Sequence, residues 1–581
     1  MVFLPPDRLN PALLARFARR RLAFNLADVV AGVLVVLVAI AISHGAQQMA
    51  RPLGQLNIAP VVLDPWRLPG YALLTTLRMF VALFFSLLFT FTVSTLAAKS
   101  RKAEVVIVPA LDILQSIPIL GFLTFTVTFF MNLIPGNELG VEGAAVFVIF
   151  TSQAWNMAFS FYQSLRTLPA DLDEVSRGFG LSPWQRFWKL ELPFAIPALV
   201  WNTMISMSGA WFFVVASEAI TVGNTTVNLP GIGSWLAVAN DRGDTKAVIW
   251  AVFAMAVVIL IYDQLLFRPI VAWADKFRFE QTASQDQPES WFYDLLTRTR
   301  LLRRVFGPLR LPFRELPKIP RVRLPVGAPI NPTVSLWLDR LWLVAVILGV
   351  LWGFGAVVLY VRQSISLADA VQVFGLGLLT LLRVVVLIAI ASVIWVPIGV
   401  WIGLRPAWSQ RIQPVAQFLA AFPANVLFPT VVIGIVALKL DPNIWLSPLM
   451  ILGTQWYILF NVIAGATAIP NDLKEAANMF HVRHWQWWRD VALPGVFPFY
   501  VTGALTASGG SWNASIVAEV VNWRHTRLEA HGLGAYIADA TTAGNYPKVA
   551  LGIVVMSIFV ILLNRTLWRP LYGFAERRLR L

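Results

Sequence analysis

The chain has 581 residues, 57% of them hydrophobic and 13% charged, with a mean hydropathy of +0.68 and no cysteine. So much apolar surface excludes a soluble globular enzyme, and the missing cysteine excludes disulfides, thiolate metal sites and a cysteine nucleophile. The net charge of +15 does not indicate nucleic acid, because its Lys and Arg bunch at Arg16–Arg21, Arg298–Arg323 and Arg577–Arg580, the short-loop pattern that orients helices in a membrane.

In chain order, residues 1–25 form a basic tail, and the first apolar segment is read as a retained helix rather than a cleaved signal. Apolar runs near the roughly 20 residues that cross a bilayer predict six spans at about 26–46, 71–97, 105–134, 141–166, 194–221 and 245–268. A second six follow at about 337–361, 372–404, 412–438, 444–468, 495–521 and 547–569. The expected fold class is therefore all-α and polytopic, with about twelve transmembrane helices. Pro118 and Pro423 should each break the third span of their half into a polar-faced lead-in and a crossing helix. The two membrane units are 26–269 and 336–581. Between them, 270–335 is Pro- and Arg-rich, an extended connector whose basic residues suit anionic lipid headgroups.

The halves are copies of one another. "LLTTLRMFVAL" at 73–83 returns as "LLTLLRVVVLI" at 378–388, and nine of the 25 positions in 169–193 recur identically in 470–494. Six spans per half is an even number, so both copies keep the same orientation. The basic loops 99–104 and 168–193 are expected in the cytoplasm and the acidic "PGNELGVE" (135–142) outside.

Ionisable groups inside spans are costly and draw attention first. Arg78 and Arg383 form one repeat-related pair in the second spans, and Glu218 and Glu519 another near the outer end of the fifth, just after Trp211 and Trp512. Two readings stand open: a substrate pathway that attracts an anion, or structural partners that lock helices. Gly231/Gly233 and Gly532/Gly534 suit a close backbone turn at the outer mouth.

The most distinctive device is a polar insert present twice. "DLDEVSRGFGLSPWQRFWKLELP" (171–193) and "DLKEAANMFHVRHWQWWRDVALP" (472–494) each predict an amphipathic cytoplasmic helix with acids in its first turn, closed at Leu-Pro. Phe179, Trp184 and Phe187, and Phe480, Trp485 and Trp488, recur along it as a docking face for lipid or for a protein groove. The pattern in Glu475, Ala476, Ala477, Val491, Leu493 and Pro494, and in Glu174, Gly180, Leu190, Leu192 and Pro193, resembles the cytoplasmic loop of binding-protein-dependent ABC import permeases. His481 departs from that pattern where Gly180 keeps it, and Val175 and Ser176 replace its two alanines. The Ala-Trp…Glu…Gly-x-Gly run narrows the likeness to the nitrate/sulfonate/taurine type, with fused ferric-iron or thiamine permeases as the rival and an ion-gradient transporter as a remoter alternative.

The resemblance implies two fused type I permease units forming the whole path for a small solute, such as nitrate, sulfonate or bicarbonate. It implies two partner ABC ATPase subunits docked on the paired helices and a periplasmic or lipid-anchored binding protein. It also implies the bacterial inner membrane, with both termini cytoplasmic. The chain has no phosphate loop, and Gly-Lys never occurs. ATP and Mg are therefore expected on the partners, with no cofactor, metal site or catalytic residue in this chain. The second insert places His481, Arg483 and His484 where the first turns on Gly178, Gly180, Ser182 and Pro183, so the two docking helices should be unequal.

Overall fold

The computed structural model describes residues 61–135, 138–222, 225–277, 290–299, 332–362, 365–523 and 526–578. Eight helices there are long and apolar enough to cross a bilayer, and two bent helix pairs raise that to ten. Of the twelve spans expected, 26–46 lies outside the described residues, as do the N-terminal tail and most of the connector. The third span of the first half is two short helices, α2 (Arg101–Ser116) and α3 (Leu123–Leu133). They are separated at Pro118 as expected.

The first half continues from α1 (Pro65–Lys99) through α2 and α3 to α4 (Glu138–Arg166), α5 (Ala170–Gly178), α6 (Pro183–Glu218), α7 (Ile232–Arg242) and α8 (Thr245–Ala274). A short helix, α9 (Trp291–Arg298), follows. The second half repeats the plan with α10 (Pro332–Arg362), α11 (Leu367–Gly403), α12 (Pro406–Ala421), α13 (Phe428–Ala437), α14 (Pro442–Leu452) and α15 (Gln455–Ala468). It ends with α16 (Asn471–Met479), α17 (His484–Ala518), α18 (Leu533–Thr542) and α19 (Tyr546–Ala575). The α12–α13 pair bends by 80° at Pro423, as the sequence predicts. The fourth span of the second half does not stay whole. It bends by 43° between α14 and α15, where a Cβ on Gly453 would lie 2.9 Å from the Ala424 methyl, while its counterpart α4 runs unbroken.

Two local features depart from the sequence reading. The polar insert is not one helix closed at Leu-Pro. α5 and α16 stop after nine residues, and a second helix then runs straight through Leu192–Pro193 or Leu493–Pro494 into the fifth span. A proline lacks its N–H and presses on the carbonyl four residues back. The chain absorbs this by widening one turn to a π-helical turn at Phe187–Glu191 and again at Trp488–Ala492. The aromatics of the first insert consequently do not share one face: Phe187 is buried, whereas Phe179 is 80% exposed.

The second departure is a small antiparallel hairpin after each fifth span, β1 (Ala219–Val222) with β2 (Thr225–Asn228) and β3 (Val520–Trp523) with β4 (Thr526–Glu529). The predicted spans ran on to 221 and 521. The alternating β-branched run "ITVGNTTV", with Gly-Asn at its centre, carried the hairpin signal. One continuous apolar cluster extends from Val61 to Trp568 through both halves, so the two units share a core.

Candidate functional site

Each hairpin folds the chain back so that a Gly-x-Gly segment lies on the end of the fifth span. In the first half this assembles a closed charge cluster. Arg78 is 0% exposed, and its Nε and Nη2 each donate to Glu142 at 2.6 Å, a bidentate fork. Its Nη1 donates to Glu218 Oε1 at 2.7 Å and to the Pro230 carbonyl at 3.0 Å. The other Glu218 oxygen accepts from the Gly233 amide at 2.7 Å, at the positive N-terminus of α7. A Cβ on Gly233 would lie 2.1 Å from the Val215 carbonyl, and one on Gly231 would lie 2.2 Å from the Glu218 carboxyl. Only glycine permits that approach.

The second half builds a lighter version. Arg383 Nη1 donates to Glu519 Oε1 at 3.0 Å, Thr380 Oγ1 donates to the same oxygen at 3.0 Å, and Glu519 Oε2 accepts from the Ala535 amide at 3.0 Å. Among the described residues no counterpart of Glu142 joins it, and the Arg383 side chain is 10% exposed. The structure thus brings each predicted Arg–Glu pair together. Glu142 was missed, because "PGNELGVE" reads as an acidic outer loop, whereas Glu142 sits inside α4 and points into the core.

Trp211 and Trp512 are fully buried against the sixth spans. Trp211 lies edge-on to Tyr262 at 5.5 Å, and Trp512 is stacked on Phe559 at 6.5 Å. It is their neighbours that face the other half. Along α6, Trp201, Ile205, Ser208 and Phe212 share one face, and along α17 so do Thr502, Thr506, Gly509 and Asn513. Trp201 stacks on Phe460 of the second half at 5.9 Å. A Cβ on Gly209 would lie 3.4 Å from the Tyr457 hydroxyl of the second half. The two faces line a seam whose α17 wall carries hydroxyls and an amide and no charge, and Thr502 and Thr506 are exposed along it.

At the opposite end, the paired helices α5 and α16 project from the bundle. Glu174 and Glu475 are exposed, Ala476 is half-buried, Ala477 is buried, and Leu192, Pro193, Leu493 and Pro494 enter the fifth spans. Both inserts turn on a left-handed residue, Gly180 at φ 66° and His481 at φ 55°. Beyond the turn, Ser182 and Gln185 form a reciprocal cap on α6, whereas Arg483 offers α17 no side-chain cap.

The first insert is also wired into the bundle. Asp173 Oδ1 accepts from Arg186 Nη1 at 2.9 Å, Arg186 Nε donates to Glu191 Oε1 at 3.0 Å, and Lys99 Nζ pairs with Glu191 Oε2 at 2.9 Å. The repeat-equivalent residues in the second half are Lys474, Trp487, Ala492 and Leu404, which cannot form such a chain. His481→Gly should therefore raise thermal stability by about 1 kcal/mol, since a side chain in the left-handed region costs roughly that much. A thermal unfolding midpoint that is unchanged or lowered would contradict this.

This two-fold arrangement of spans, seams and projecting helices coincides with a family domain found twice. The model for the binding-protein-dependent transport system inner membrane component matches residues 90–268 and again 395–580. The chain belongs to that family. It is an ABC transporter permease, a multi-pass inner-membrane protein with two copies of the unit fused in tandem.

The permease is 27% identical over 199 residues to the nitrate import permease protein NrtB of Leptolyngbya laminosa, covering 34% of this chain and 66% of that protein. It is also 27% identical over 186 residues to the bicarbonate transport system permease protein CmpB of Synechococcus elongatus, covering 32% and 64%. A glycine betaine/proline betaine permease, ProW of Escherichia coli, is 31% identical over 163 residues, covering 28% and 44%. The matches therefore span slightly less than two thirds of the first relatives' length, which is about one repeat of this chain.

Proposed function

We propose that this chain is the complete membrane pathway of an ATP-driven importer for a small solute, handed over by a binding protein and driven by two partner ATPases. One observation carries the reading. Two copies of the family unit face each other across one seam within a single chain, and each copy presents its own exposed helix, α5 or α16, to a partner. The substrate class we favour is a small monovalent anion such as nitrate or bicarbonate, after the relatives so named. The uncharged, hydroxyl-bearing wall of α17 supports it, because such a wall solvates a small ion without trapping it.

In this reading the helices α5 and α16 and both termini lie in the cytoplasm, and the basic connector rests on headgroups. The Arg78–Glu142–Glu218 cluster acts as a lock that holds the second, fourth and fifth spans of the first half together, and Arg383–Glu519 does the same for the second and fifth spans of the second half. Arg78, with every guanidinium nitrogen engaged and no exposed surface, serves packing rather than solute contact.

The purified chain alone should show no ATP hydrolysis. With ATPase subunits and binding protein reconstituted into vesicles, nitrate or bicarbonate uptake should require all components. Hydrolysis by a preparation free of partners, or uptake driven by an ion gradient without ATP, would overturn the proposal.

A further inference from the structure

At the end of the seam remote from α5 and α16, the Thr128 and Tyr546 hydroxyls meet across the halves at 3.1 Å, and two further hydrogen bonds made by asparagines cross between the fifth spans and the opposite third spans. Asn513, on the fifth span of the second half, accepts from the Ile119 amide of the first half at 2.6 Å. Asn425 of the second half donates through Nδ2 to the Phe212 carbonyl, on the fifth span of the first half, at 3.1 Å. The repeat turns these into one contact made twice. Phe212 and Asn513 are equivalent residues 301 apart in "AWFFV" and "SWNAS", and Ile119 and Asn425 both lie in the 3-10 turn that breaks a third span, Ile119–Phe122 or Ala424–Leu427. In both cases the fifth span of one half meets the broken turn of the other.

We propose that Asn513 and Asn425 are the outer gate of the pathway, holding this conformation shut on the face opposite the coupling helices and open toward them. The proposal rests on the permease reading above. Three further observations support it. Thr502 and Thr506 lie on the same face of α17 as Asn513, two to three turns nearer the coupling end, and are exposed where Asn513 is half-buried. The Oδ1 of Asn425 is buried with no partner, a cost that an apolar residue would avoid and that a polar contact made and broken in a cycle explains. Each crossing asparagine bond uses a single side-chain amide against a backbone group, so a small displacement of a fifth span past the facing turn releases it.

The chain contains no cysteine, so a single introduced thiol reports access directly. Thr506→Cys should react with a membrane-impermeant thiol reagent only from the side on which Phe179→Cys reacts. Adding Asn425→Leu and Asn513→Leu, which keep the branched shape and remove both asparagine bonds, should raise labelling of Thr506→Cys from the opposite side by roughly tenfold. Its labelling from the Phe179 side should be retained, which shows that the variant is folded. Asn513→Leu alone should give a smaller rise of the same sign. Equal labelling of the parent Thr506→Cys from both sides, or no rise in the folded variants, would overturn the gate. Reaction of Phe179→Cys from the periplasm would overturn the orientation in the permease reading instead, and the gate would still be judged on the face opposite Phe179.

Discussion

Arg78→Gln should prevent recovery of the folded permease, whereas Arg383→Gln should leave a folded and only moderately destabilised one. The difference follows from what each substitution strands. Arg78 is held by both oxygens of Glu142 and by one of Glu218, all three residues buried. Removing its charge leaves two carboxylates without a counter-ion in an apolar core, and breaking a buried pair of this kind costs about 3–5 kcal/mol. Arg383 makes one ion pair, and Glu519 retains the Thr380 hydroxyl and the Ala535 amide when that pair is lost. A cost of about 1–3 kcal/mol is expected there. Thermal unfolding in detergent and the yield of monodisperse protein measure both. Equal loss at the two arginines would refute the inequality. A normally stable Arg78→Gln that fails only in transport would refute the lock and restore Arg78 to the solute path.

Arg186→Ala should weaken energy coupling through the first half alone. Arg186 joins Asp173, on the helix expected to meet an ATPase, to Glu191, in the π-helical turn at the foot of the fifth span. Glu191 joins Lys99 at the end of the second span. A push on α5 is thereby delivered to two spans at once. Arg186 is partly exposed, so each of its pairs is worth only about 0.2–1 kcal/mol to folding. Stability should fall little while binding-protein-stimulated ATP hydrolysis falls severalfold. Trp487→Ala at the equivalent place in the second half removes no ion pair and should act only through packing. The comparison to make is stimulated ATPase rate in the two variants at matched thermal stability. An undiminished rate in Arg186→Ala would show that the charge chain carries no force.

Much of this molecule is legible in its sequence because the bilayer simplifies the code. A span must be long and apolar, and a repeat of such spans shows as recurring letters at fixed offsets, so the duplicated all-α plan and the breaks at Pro118 and Pro423 are readable residue by residue. The pairing of Arg78 with Glu218 and of Arg383 with Glu519 is half-readable. Charges inside spans demand partners, but sequence alone cannot decide between a partner and a solute.

What the tertiary structure alone decided is everything that depends on direction and distance. Glu142 looks like a loop acid until α4 turns it onto Arg78. Asn425 and Asn513 look like ordinary polar residues until the halves face each other. The Leu-Pro motif looks like a helix end until a widened turn carries the helix through it. Composition and periodicity fix how a segment meets its solvent, which is a local matter. Which side chains meet across 64, 140 or 394 residues of chain is set by how the helices rotate and cross as their faces are buried, and no local pattern records it.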